Sequence, residues 1–282
     1  MVFRNPKLAI FTISSFFILG SSSLSFTNST YAEAVSVTPK AGAALTQEVT
    51  VKNYDDTYYN QAIGKTGSEL KKELHTIIDN HTKISYSAVW EALRDTDEDP
   101  NNKNNVLLLY TGRSQGKFTN GSGVDNWNRE HVWAKSHGDF GTAAGPGTDL
   151  HHLRATDVSV NSSRGNLDFD NGGMSHSEAT ECKYDSDSWE PRDSVKGDIA
   201  RMLFYMAVRY EGDNGEVDLE LNERVNNNKD PYMGKLSVLL KWNEQDPVDE
   251  FERKRNEIIF TKYQHNRNPF IDHPEWVNKI WK

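Results

Sequence analysis

Glu130 and His131 stand side by side in "NREHVWAKSHGDF", residues 128 to 140, preceded by Arg129 and followed by the apolar pair Val132 and Trp133. A carboxylate is a hard oxygen ligand for a small divalent cation. An imidazole, with an unperturbed pKa near ~6.5, takes a proton from water readily at neutral pH. Further on, "VNSSRGN" supplies a second oxygen donor in Asn161. Two protein oxygens leave most positions of an octahedral Mg²⁺ open for water and phosphate oxygens. Glu130, Asn161 and His131 are thus a minimal apparatus for hydrolysing a phosphodiester.

These residues need elements that bring them together. Residues 128 to 168 read as strand, Gly-rich loop, a strand-like Asp149 to Leu153, a capping Thr156 or Asp157, and a short helix. That helix carries Asn161 in its second turn, facing back toward the first strand. Neighbouring residues of a regular strand point to opposite faces, so the strand must end, twist or bulge for Glu130 and His131 to serve one centre.

Around this unit, Leu70, Leu74, Ile77 and Ile78 mark one face of a helix over 67 to 80. A second short helix is expected over Tyr86 to Leu93, and a buried strand over Val106 to Tyr110. "DTDEDPNNKNN" places Asp95, Asp97 and Asp99 as in a calcium loop, but Pro100 stands where glycine is needed and Val106 where a bidentate glutamate is needed. A solvated acidic turn is expected instead. Val195, Ile199, Met202, Leu203, Met206 and Tyr210 predict a strong amphipathic helix after Asp193, and Asp246-Pro247 predicts another with Asp246 as its N-cap.

Arg4 and Lys7, an apolar run from Leu8 to Leu19 and the small residues up to Ala34 predict a signal peptide over 1 to 32, with a flexible leader over 33 to 52. The apolar run is shorter than the roughly 20 residues of a spanning helix, so a secreted, extracellular protein free of the membrane is expected. Cys182 is the only cysteine, which rules out an internal disulfide and makes a packed, unreactive thiol the simplest reading. The net charge is −9, and more negative still once Arg4 and Lys7 are removed. A strongly acidic surface opposes non-specific nucleic-acid binding, so any phosphate partner requires a local, metal-assisted positive field.

Taken with its flanking blocks, the stretch resembles the catalytic core of the endonuclease I family, a branch of the His-Me finger or ββα-metal nucleases. The chain as a whole is similar to that family's secreted ribonucleases of Gram-positive bacteria. "REHVWAKS", "GPGTDLHHLR", "VNSSRGN", "WEPRDSVKGDIARMLFYM" and "HNRNPFIDHPEW" occur in the family's order, and the likeness runs from about Tyr54 to Trp281. It implies an α+β fold, with a His-Me finger core and a small sheet surrounded by several helices, in one nuclease domain over 53 to 282. It implies His131 as general base and Glu130 and Asn161 as ligands of Mg²⁺, with Mn²⁺ able to substitute.

Family members commonly place an arginine in the loop between the two strands, whereas residues 134 to 148 here contain only Lys135. Lys135 and Arg154 are accordingly expected to bind substrate, and Arg164 or Arg154 to stabilise charge at the scissile phosphate. His151 and His152 are expected to pack and orient the finger, and Asn266, Arg267 and Asn268 to be structural. The expected activity is metal-dependent endonucleolytic cleavage of RNA, and of DNA, by a monomer without sequence specificity, leaving 5′-phosphate ends. The competing readings are a zinc-dependent phosphoesterase or peptidase built on His131, His137, His151 and His152, and a non-catalytic secreted binding module.

Overall fold

The computed structural model describes residues 54–55 and 57–282; the expected signal peptide and leader lie outside the described residues. In chain order come α1 (Gly67–Ile78), α2 (Val89–Thr96), β1 (Glu98–Asp99), β2 (Asn102–Leu107), β3 (Ser114–Gly116), β4 (Trp127–His131), β5 (Leu153–Asp157) and α3 (Val158–Arg164). They are followed by β6 (Asp168–Phe169), β7 (Met174–Ser175), β8 (Lys183–Tyr184), β9 (Ser188–Glu190), α4 (Lys196–Arg209), α5 (Leu236–Gln245), α6 (Glu250–Ile258), α7 (Pro269–Asp272) and α8 (Trp276–Trp281). The class is α+β, with small sheets set among helices. No described helix is long and apolar enough to cross a membrane.

Two apolar cores support these elements. The larger joins Leu70, Leu74 and Ile78 of α1 to α4, α5 and α8. The smaller packs Val89, Ala92 and Leu93 of α2 against Trp127, Leu153 and Ala155 of the β4–β5 pair. Cys182 is fully buried in the larger core, its thiol directed at the Tyr110 carbonyl and pushed up to about 11 by burial.

Several sequence expectations shift for local reasons. The expected strand over Asp149 to Leu153 begins only at Leu153, because the Asp149 side chain accepts from the His151 amide at 2.9 Å and bends the chain into a turn. Likewise α2 starts at Val89, since Ser85 accepts from the Ala88 amide through its hydroxyl and holds 85 to 88 in a turn. Strand β2 stops at Leu107, where Leu108 to Tyr110 turn inward and the Leu109 amide reaches the Ala155 carbonyl at 2.9 Å.

The N-cap of α6 is Asp249, in a capping box with Glu252, and Asp246 instead accepts from the Gly197 amide at 2.9 Å. Asp157 precedes α3 without capping it, its carboxylate being taken by Thr111 and Arg113. Helix α4 is buried on every side and is not amphipathic in place. Its charged residues are covered by pairing: Arg201 with Glu252, Arg209 with Asp79 and Glu216, and Lys196 with Glu190.

The acidic turn is solvated only in part: residues 100 to 104 are exposed, whereas Asp97 and Asp99 are buried. Asp97 is fully buried, bound by Arg154 at 3.1 Å, by Arg255 at 3.0 Å and by the Ala155 amide at 2.7 Å. Burial alone would raise its pKa, but the two guanidinium groups outweigh that and hold the carboxyl below its ordinary value. Asp97 thereby fixes β5 from behind, and β5 in turn fixes β4.

Candidate active site

Strands β4 and β5 pair antiparallel in regular register from Trp127 opposite Asp157 to His131 opposite Leu153, without a bulge. Trp127, Arg129 and His131 therefore share one face, and Asn128 and Glu130 the other. Tyr86 and Trp90 cover the first face: the Arg129 guanidinium lies 3.4 Å from the Tyr86 ring centre, and His131 stacks with Tyr86 at 5.9 Å. Helix α3 covers the second, through Asn161 and Arg164. A cavity of about 490 Å³ is nevertheless lined from both faces, by Tyr86, Arg129 and His131 and by Asn128, Glu130 and Asn161. The strand ends at His131, and this ending allows both side chains to reach one space.

His131 is buried, and its Nε2 lies 3.1 Å from the Gly147 carbonyl. A carbonyl can only accept, so the proton sits on Nε2 and the lone pair on Nδ1. Gly147 is required there: a Cβ would stand 2.6 Å from the Gly141 carbonyl oxygen. Burial, reinforced by the neighbouring His152, pushes His131 down to about 3, so the ring is neutral throughout the neutral range, with its Nδ1 lone pair unprotonated.

Glu130 is buried on the other face. Its Oε1 receives the Tyr110 hydroxyl at 2.7 Å and pairs with Arg164 at 3.2 Å. Burial pushes this carboxyl above its ordinary value despite the counter-pull of Arg164 and Tyr110. Asn161 gives its amide hydrogens to Asn128 Oδ1 at 2.7 Å and, more weakly, to the Arg129 carbonyl at 3.5 Å, turning its own oxygen the other way. A buried carboxylate held in place by Tyr110 and Arg164, and an amide oriented by its NH₂ group, fit a hard divalent cation.

The remaining expected residues fall into two sets. Lys135 lines the cavity, exposed and without an ion pair among the described residues. Arg154 does not line it; this arginine is buried against Asp97 and Asp198. Arg164 is also absent from the lining. It is fully buried, and besides holding Glu130 it donates to the carbonyls of His131 at 3.0 Å and Val132 at 2.8 Å. Arg129 is the cavity arginine, a residue that sequence reasoning left unassigned. The signal was available, because a residue two positions before His131 on a strand must share its face.

The other histidines support the loop. His152 gives Nε2–H to the Pro146 carbonyl at 2.8 Å and accepts the Trp133 amide at 3.3 Å, while His151 and His137 meet the carbonyls of Asn266 and Tyr232. Asn266, Arg267 and Asn268 are buried structural residues; Arg267, for example, pairs with Glu257 and Asp272. Among the described residues the convergent His/Asp group is His75, Asp79 and Asp213, whose donor atoms lie within 4.8 Å of one another and could hold a divalent cation. His75 also meets the Val208 carbonyl at 2.9 Å, and none of the three lines the cavity.

Strand, glycine-rich loop, antiparallel strand and helix, with the Glu-His pair closing the first strand and an asparagine on the helix, define a His-Me finger of the metal-dependent nuclease class. The family described as Endonuclease I matches residues 66–275, and the chain belongs to that family. It is 69% identical over 226 residues to the extracellular ribonuclease of Bacillus subtilis (strain 168), an alignment spanning 80% of this chain and 78% of that protein. The extracellular ribonuclease of Bacillus amyloliquefaciens is similar to the same extent, 69% over 226 residues, with 80% and 78% covered.

Proposed function

We propose that the protein is a secreted, Mg²⁺-dependent ribonuclease that hydrolyses phosphodiester bonds by water attack, with His131 as general base. The observation that carries this reading is the fixed tautomer of His131: Nε2–H is spent on the Gly147 carbonyl, so Nδ1 is the free base in a cavity shared with Glu130 and Asn161. The relatives' names, both extracellular ribonucleases, support the substrate and the location.

Glu130 and Asn161 would hold the Mg²⁺, which when bound supplies Lewis-acid neutralisation of charge on the phosphate and on the departing 3′ oxygen. His131 takes the proton of the attacking water through Nδ1. Arg164 holds the His131 and Val132 carbonyls and one oxygen of Glu130, so it positions both groups without touching substrate. Lys135 meets a phosphate as a solvated point charge. Because water is the nucleophile, the 2′-hydroxyl is not consumed and DNA is cut by the same chemistry.

The direct test is His131→Ala, expected to lose at least ~10²-fold in rate, the lower end of what a positioned base contributes, with melting temperature and Mg²⁺ affinity unchanged. Near-wild-type activity in the purified variant would reject the assignment, and revival of chelated enzyme by zinc alone would reject the metal.

A further inference from the structure

Resting on that reading of the site, we propose that Arg129 is its phosphate grip and that the groove beyond it seats the adjoining unpaired nucleotide of a single strand. The deeply buried arginines of the smaller core and of α4 are neutralised by acids: Arg154 and Arg255 by Asp97, Arg201 by Glu252, and Arg209 by Asp79 and Glu216. Arg129 forms no ion pair among the described residues. Aromatic rings hold it instead, with the guanidinium carbon 3.4 Å from the Tyr86 ring centre and 3.9 Å from that of Trp90. Its Nη1 donates to the Tyr86 carbonyl at 2.6 Å, while its Nε has no partner although it is buried.

A guanidinium oriented by rings and a carbonyl keeps its full positive charge, in a chain whose net charge is −9. Its planar fork matches phosphate oxygens, and it stands on the face of the strand that carries His131.

A second groove, about 410 Å³ in volume, shares Tyr86, Asn128 and Arg129 with the cavity and continues to Trp90, Ser122 and Val158. None of its lining residues is acidic. Trp90 is only partly buried and is braced edge-on against Trp127 at 5.4 Å, which makes it a rigid apolar wall beside polar loop residues. A phosphate held by Arg129 places the next sugar and base in this groove. Every base offers a π-face to an aromatic wall, which suits reading without sequence preference, and only an unpaired base can enter.

Binding, measured separately from cleavage, tests the proposal. The mature protein in excess chelator is titrated with a fluorescent single-stranded RNA hexamer and with the same sequence in a duplex. Wild type is expected to bind the single strand more tightly. Arg129→Gln should weaken it about 10-fold and reduce the logarithmic salt slope by about 0.7. Trp90→Leu, which removes both the aromatic wall and one of the two rings that hold Arg129, should cost about 10-fold. Ser122→Glu, at an exposed position on the groove, should weaken binding by charge repulsion while the melting temperature stays that of wild type. Wild-type binding by folded Ser122→Glu and Arg129→Gln overturns the proposal, as does equal affinity for the duplex. Because no cleavage occurs, the result is independent of His131: an active His131→Ala with weakened Arg129→Gln binding would reject the catalytic assignment and leave the groove standing.

Discussion

Asn161 on α3 and Asn128 on β4 are joined by a 2.7 Å hydrogen bond in which Asn161 is the donor, so the helix residue's amide is oriented by a neighbour that is not itself a proposed ligand. Such outer partners typically cost 10–100-fold in metal affinity when removed. Asn128→Ala is therefore expected to raise the Mg²⁺ concentration for half-maximal activity about 10-fold, with the rate at saturating Mg²⁺ largely restored. A loss that extra Mg²⁺ leaves untouched would place Asn128 in substrate binding instead.

Glu130→Gln and Asn161→Ala should show the same partial rescue by Mg²⁺, and His131→Ala should not. Activity titrations against Mg²⁺ for the three variants separate ligands from base. Equal rescue of all three contradicts the division of roles.

Arg164→Met leaves Glu130 buried without its cation and frees the carbonyls of His131 and Val132. Removing one partner of a buried pair costs about 3–5 kcal/mol, so a clear drop in the urea midpoint is expected. Lys135→Ala, at an exposed position, should leave the midpoint alone and raise KM modestly at low salt. If instead Arg164→Met is as stable as wild type, its positioning role fails.

The finger loop also sets an acid limit on stability. His151 and His152 are pushed down to about 4, in each case chiefly by burial, and His81 is lowered for the same reason. An unfolded histidine takes its proton near ~6.5. Between about pH 6.5 and about pH 4 the unfolded chain therefore binds more protons, and folding stability must fall as pH falls through that window. Asp149 extends the loss to lower pH. Burial would raise its pKa, but His81, His151 and the Gln264 amide outweigh that and hold it well below the carboxylate range. Urea midpoints across this range check the sign, and a flat profile down to about pH 5 would contradict it.

The chemistry was legible where it was contiguous. Glu130-His131, the glycine-rich loop and Asn161 could be read as one unit because the finger is local in sequence. The arginines were not legible: Arg154, Arg164 and Arg129 are chemically identical in a string, and what separates them is whether a distant carboxylate, such as Asp97 for Arg154, lies within reach. The burial of Asp97 within the otherwise exposed acidic turn was hidden for the same reason, since Arg255 closes on Asp97 from far along the chain. Strand alternation, used to question Glu130 and His131, could equally have placed Arg129 beside His131.

The chemical ends of the products test the central claim most directly. Water activated by His131 leaves 5′-phosphate and 3′-hydroxyl ends, and a strand with one 2′-deoxy nucleotide at a favoured site should still be cut there. Mass spectrometry of short RNA digests showing these ends at the substituted bond is the result expected. Cyclic 2′,3′-phosphates, or loss of cutting at that bond alone, would show that the 2′-hydroxyl attacks and that His131 does not activate water.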